Sequence, residues 1–120
     1  VLAAGCATRP ASPPTREWQR PCDDCMAGVA NFTQVTEKLW RGAQPDGHDP
    51  EVFRRLEGRG LKTVINLRHD HDDFPRLEDT RLEYLWIPMR AWHPETEDIV
   101  LVLSTLRRAT ADPKRWPVFV

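Results

Sequence analysis

At 120 residues and a formal charge of -1, the chain is long enough for one domain with one sizeable core and too short for two. Its 17 basic and 18 acidic residues leave no cationic surface to follow a phosphodiester backbone, which argues against nucleic acid as a partner. A hydrophobic content of 40% fits a folded protein, and no run of about 20 apolar residues is present to span a bilayer.

The chain begins Val1-Leu2-Ala3-Ala4-Gly5-Cys6, which resembles the end of a bacterial lipoprotein signal. Small residues let a peptidase bind an extended chain beside the cut, and the cysteine that follows takes the lipid. Residues 1–6 are therefore expected to close such a signal, with Cys6 lipidated and the protein anchored to the membrane rather than spanning it; a chance Ala/Gly start is the alternative. Residues 7–30 contain Pro10, Pro13, Pro14 and Pro21 and few aliphatics, a composition that predicts a Pro-rich tether. Cys22 and Cys25 lie within it as a Cys-x-x-Cys pair. Export would favour a local disulfide between them; two free thiols are the alternative, and a zinc site would need more donors than the pair provides.

From Asn31 the composition changes to that of a packed domain, expected over residues 31–120. Residues 32–35 and 38–41 read as two short strands joined through Thr36-Glu37, and residues 42–47 as a turn-rich loop. Asp49 stands where it can cap a helix opened by Pro50, with Val52, Phe53 and Leu56 on its apolar side and Gly58 or Gly60 as the stop. Residues 61–67, β-branched at the centre and mostly apolar, predict an interior strand.

Residues 68–79 form a polar connection containing His69-Asp70-His71-Asp72-Asp73. In an extended loop His69, His71 and Asp73 would point the same way and could meet one ion. A solvated polar loop, or a substrate rim, accounts for the same residues more simply, so no metal is expected. Residues 82–87 predict a second strand, ended by Pro88. Pro94-Glu95-Thr96-Glu97-Asp98 places negative charge at a helix start, where the dipole favours it. Ile99, Val102, Leu103 and Leu106 recur at spacings of three and four and predict one face against a sheet, with Asp112-Pro113 as the stop. Trp116-Pro117-Val118-Phe119-Val120 opens another apolar strand, expected in the middle of a sheet. The alternation predicts an α/β fold, a central sheet flanked by helices, of which the C-terminal part is expected to be missing beyond Val120.

Three stretches carry a family resemblance. Residues 31–45, ending in Leu39-Trp40-Arg41-Gly42-Ala43-Gln44-Pro45, resemble the opening of the atypical bacterial dual-specificity/tyrosine phosphatases. Gly60-Leu61-Lys62-Thr63-Val64-Ile65-Asn66-Leu67-Arg68 is similar to that family's Gly-strand passage ending in Asn-Leu-Arg. Trp116-Pro117-Val118-Phe119-Val120 resembles the strand just upstream of its His-Cys-x-x-Gly-x-x-Arg signature. The resemblance implies a partial phosphatase-like sheet and, in a full-length protein, a cysteine-dependent phosphomonoester hydrolase working through a phosphocysteine. The nucleophile loop would follow Val120, so the 120-residue fragment itself is expected to be inactive. No cofactor is implied. The substrate would be a phosphorylated protein or a small phosphomonoester such as an inositol phosphate. With the lipidated Cys6, the location would be the periplasmic side of a bacterial envelope, the bilayer a partner through the lipid. Oligomeric state is not implied.

That family normally draws its general acid from an aspartate between the penultimate strand and its helix, here residues 89–98. Arg90-Ala91-Trp92-His93-Pro94 offers none, leaving Glu95 and His93 as candidate acids, with Glu97 and Asp98 behind them; each is equally placed as a helix cap or first-turn charge. Arg68 and Arg90 stand at strand ends, where α/β folds gather ligands, and Trp92 could wall a cleft. Two other classes stay open: a non-catalytic envelope module that binds phosphate or a partner, favoured by the missing aspartate, and a rhodanese-like sulfur carrier, disfavoured by the Arg41-Gly42-Ala43-Gln44-Pro45 turn.

Overall fold

The computed structural model describes residues 21, 22 and 24–120; Cys6 and most of the expected tether lie outside the described residues. The elements in chain order are β1 (Thr33–Thr36), β2 (Leu39–Arg41), α1 (Val52–Gly58), β3 (Thr63–Arg68), a 3-10 turn (Phe74–Leu77), β4 (Glu83–Met89), α2 (Thr96–Ala111) and β5 (Val118–Phe119). They build one mixed sheet in the order β1-β2-β5-β3-β4. β1 and β2 form an antiparallel hairpin, and β2, β5, β3 and β4 run parallel. The last apolar run therefore lies at the centre, with Val118 opposite both Leu39 and Thr63, and Phe119 opposite both Trp40 and Val64.

Side chains alternate across this sheet and divide the core into two layers. Val64 and Phe119 face α1 and pack with Trp40, Val52, Phe53 and Leu56. Ile65 and Val118 face the other way and pack with Ile87, Val102 and Ala109. β3 is covered on both faces, so Thr63, Val64, Ile65 and Asn66 are buried in succession, and the Thr63 hydroxyl is satisfied by donating to the Arg115 carbonyl at 2.8 Å.

α1 ends in a motif that its sequence dictates. Gly60 takes φ +103°, a conformation glycine adopts without strain. The Gly60 N–H reaches the Glu57 carbonyl at 2.9 Å and the Leu61 N–H the Leu56 carbonyl at 3.2 Å. Leu56 and Leu61, which bracket this turn, are both buried in one cluster, completing a Schellman stop.

Several expectations are corrected in detail. α1 begins at Val52 rather than Pro50, because the Asp49 carboxylate accepts the Glu51 N–H at 3.0 Å and holds residues 49–51 in a turn. Pro88 does not end β4, which runs to Met89. β4 is an edge strand, where the missing proline N–H faces no neighbour, and the pairing with β3 is irregular there. In α2, Val102 and Ala109 are buried against Ile65, Ile87 and Val118 of the sheet, but Ile99 is 39% and Leu103 60% exposed: the stripe in contact is narrower than the one the helical period offers. Finally, Met26 and Val29 are buried in the α1-side core, so packed chain reaches back before residue 31. Among the described residues, no helix is long and apolar enough to cross a membrane.

Candidate active site

Parallel strands end along one edge, and the chain leaving β2, β3 and β4 walls a cavity of about 470 Å³ there. Ligands in α/β sheets collect at such carboxyl ends. Gly42 to Pro45 come from the β2 exit, Arg68, His69 and Asp70 from the β3 exit, Ala91 and Trp92 from the β4 exit, and Val120 from the end of β5.

The β2 exit is shaped by a close approach. The Val120 N–H donates to the Trp40 carbonyl at 3.0 Å, and the Gly42 N–H donates back to the Val120 carbonyl at 3.2 Å. A Cβ on residue 42 would sit 2.7 Å from a Val29 methyl and 3.2 Å from the Phe119 ring. Only glycine lets the chain turn so near the central strand.

Asp73 ties the rim together. Its side chain is 2% exposed, and buried carboxylates persist only where donors surround them. Gln44 Nε2 donates to both of its oxygens at 2.8 Å, Arg76 Nη1 lies at 3.2 Å, and His71 Nε2 at 3.1 Å. Arg76 reaches on to the carbonyls of Pro45 at 3.2 Å and Asp46 at 2.6 Å. The turn after β2 and the loop after β3 are thus fastened through one side chain.

Beneath that loop, Asn66 is a buried polar residue on β3. Its Nδ2 donates to the His71 carbonyl and to the Tyr84 hydroxyl, and its Oδ1 accepts the Arg68 N–H at 2.8 Å. The Tyr84 hydroxyl accepts the Asp73 N–H at 3.0 Å and donates to Asp72 at 2.8 Å. Burial of Tyr84 pushes its hydroxyl above the usual phenol range, so it stays a neutral donor. Asp73, Asn66 and Tyr84 are the residues that sequence reasoning missed as organisers; the one local signal was an asparagine inside an apolar strand.

Of the residues singled out from sequence, Arg68 and Trp92 line the cavity. The Arg68 guanidinium is 57% exposed and lies 3.8 Å from Asp70. Trp92 is 78% exposed and meets His69 edge-on, ring centroids 6.4 Å apart. Arg90 is exposed and lies outside the lining, its carbonyl accepting the His93 N–H at 3.1 Å. His93 Nδ1 and Glu95 Oε1 pair at 3.2 Å, both largely exposed, and neither lines the cavity. Glu95 holds the N-cap position of α2 without a side-chain cap bond.

Cys22 and Cys25 form a disulfide, with sulfurs 2.03 Å apart, and sit away from the cavity, where Cys22 bridges to Phe32. His69, His71 and Asp73 do not converge: His71 is on the Asp73 carboxylate and His69 on Trp92. Among the described residues, no cluster of three or more His, Cys, Asp or Glu could hold an ion.

No protein-family model matches the chain, and no curated protein matches it. Solved structures do. A candidate phosphatase (DUF442) from Shewanella putrefaciens CN-32 superposes with a TM-score of 0.63 at 21% identity, over 78% of this chain and 59% of that one. TpbA of P. aeruginosa superposes at 0.64 and 22% identity, over 90% and 58%, and a structure of TpbA in complex with pTyr at 0.63 and 23%, over 92% and 59%. The core catalytic domain of the PP-IP phosphatase SIW14 from S. cerevisiae gives 0.58 at 16%, over 78% and 56%. The chain therefore has the mixed α/β, phosphatase-like fold of these proteins, and it spans less than two thirds of the length of each.

Proposed function

We propose that this chain is the N-terminal part of a cysteine-dependent phosphomonoester hydrolase, with the nucleophile loop after Val120. The observation that carries the reading is the cavity at the carboxyl ends of parallel strands, in a fold shared with solved phosphatases, with β5 at its centre. A loop leaving β5 for a helix would bring backbone N–H groups to the mouth of this cavity. There they would bind phosphoryl oxygens and favour a thiolate. The thiolate attacks phosphorus, the ester oxygen leaves with a proton, and water then cleaves the phosphocysteine. Cys22 and Cys25 are bound to each other and cannot supply that thiolate. Arg68 lies on the cavity wall and can steer a phosphate. His93 and Glu95 stay as candidate acids that a substrate would have to draw inward, because their pair stands outside the lining.

The neighbours differ in chemistry: one is solved with pTyr, another is a PP-IP phosphatase. A phosphorylated protein or small phosphomonoester is therefore the substrate class of this reading. Lipid attachment through Cys6, with a periplasmic location, belongs to the same proposal and rests on the Leu2-Ala3-Ala4-Gly5-Cys6 motif. Mass spectrometry of the mature N-terminus tests it, and an unmodified Cys6 would refute it. The exposed His93–Glu95 pair and the missing loop aspartate favour one competitor, a non-catalytic binding module.

The deciding experiment is hydrolysis of 4-nitrophenyl phosphate by the product of the complete gene, with acid quenching to trap the phosphoenzyme. Turnover with phosphate on a cysteine encoded after Val120 is expected. Phosphate binding without turnover would replace the enzyme by the binding module.

A further inference from the structure

The chain ahead of β1 is held by contacts rather than by secondary structure of its own. Between Cys22 and β1 no helix or strand is formed, yet Met26 and Val29 are each only 1% exposed. Two anchors hold this segment. At the first, the Cys22 N–H donates to the Phe32 carbonyl at 2.9 Å, and Phe32 stacks on Phe119 of β5, ring centroids 6.4 Å apart. At the second, Met26 and Val29 fill the α1-side core. The disulfide joins Cys22, in the first anchor, to Cys25, the neighbour of Met26 in the second. The segment in turn supports the β2 exit: its Gly28 and Ala30 carbonyls accept the Asp46 and Ala43 N–H groups, both at 2.8 Å. Its Ala27 carbonyl accepts Arg55 Nη1 of α1 at 2.7 Å.

A segment without a ladder of its own can peel away locally while the sheet stays folded. The covalent ring opposes this, because a peeled segment that still carries the ring gains less chain entropy than an open one. The ring is also within reach of a reagent. Cys25 is exposed and Cys22 half-buried, so Cys25 Sγ is the sulfur open to attack. Among the described residues no helix starts before Val52 to favour a thiolate at the pair, which therefore suits the target of thiol exchange rather than its catalyst.

We propose that the Cys22–Cys25 disulfide is a redox latch: oxidised, it fastens residues 22–32 to the β2 exit, and a dithiol reductant releases that segment while the sheet stays folded. A thiolate of the dithiol attacks Cys25 Sγ, the S–S bond breaks, and its electron pair leaves on Cys22, which takes a proton. The second thiol of the reductant, giving up its proton, attacks the mixed disulfide and frees Cys25, which is protonated in turn. The protein gains two electrons and two protons, and the reductant ends as a disulfide. Gln44 keeps its bonds to Asp73, so the loop stays in place while its amides at Ala43 and Asp46 lose their acceptors. None of this depends on what the cavity binds.

The test uses the oxidised product of the complete gene, treated with dithiothreitol under native conditions. Alkylation followed by peptide mass spectrometry should find Cys22 and Cys25 reduced. Hydrogen exchange at the Ala43 and Asp46 amides should then speed up by about tenfold, with the Ile65 amide in β3 unchanged. The double variant Cys22→Ser, Cys25→Ser should show the same fast exchange at Ala43 and Asp46 without any reductant. A disulfide that yields to dithiothreitol only when Ile65 exchanges as well would overturn the proposal, since it would mark a staple of the whole fold. Reduction that leaves Ala43 and Asp46 unchanged, or a cysteine pair that stays as free thiols under air oxidation, would overturn it too.

Discussion

The two faces of the sheet are closed to different degrees. On the α1 face, Val52, Phe53 and Leu56 are exposed by 2% or less, and Met26, Val29 and Leu77 from flanking segments close the edges. On the α2 face, Val102 and Ala109 are buried, while Ile99, Val100, Leu101 and Leu103 keep between 39% and 60% of their surface. The two helices look equally apolar in sequence. A helical period shows which residues prefer to leave water; how many of them do so depends on what else packs beside the helix. Besides the sheet, α1 has Met26, Val29 and Leu77 of the 3-10 turn in its cluster, whereas the buried positions of α2 share theirs with sheet residues, Ile65, Ile87 and Val118.

Single substitutions test this contrast. Leu56→Ala should cost about 2–5 kcal/mol, because the site is closed on all sides and cannot collapse onto the space left; urea denaturation reads it, and a loss under 1 kcal/mol would erase the difference between the faces. A smaller effect lies at the N-terminal side of α1. The Arg55 guanidinium, hydrogen-bonded at 2.9 Å, together with the Glu51 N–H, lowers the Asp49 carboxyl below its usual range. A carboxyl whose folded value is lowered stabilises the fold above its unfolded value of 3.8, and that contribution is lost as the pH falls through the folded value. Asp49→Asn should therefore flatten the acid limb of the stability curve below about pH 4, and an unaltered limb would show the pair to be screened by solvent. Leu103→Ala should change stability by no more than about 0.5 kcal/mol. A loss comparable to that of Leu56 would mean that the exposed face of α2 is covered in solution.

Much of the architecture was legible because its determinants are local. The β-branched run before Asn66, the Gly60 stop and the acidic start of α2 each depend on neighbours within a turn or a strand. Pro88 misled because the rule against proline in strands is a rule about central strands, and centrality is a property of the assembled sheet. The Met26 and Val29 contacts were hidden by the prolines and acids around them. In the site, Arg68 and Trp92 could be placed from their positions at strand exits. Asp73 could not be placed as the tie between loops, since its partner Gln44 is 29 residues away and the alternation within the polar loop suggested an ion ligand instead.

Asp73 also sets how the cavity can move. Because Gln44 and Arg76 grip one carboxylate from two different loops, neither loop can swing outward without stranding a charge in the interior. The wall that these two loops form is therefore set during folding, whereas the clamp does not reach the β4 exit, where Ala91 and Trp92 stand.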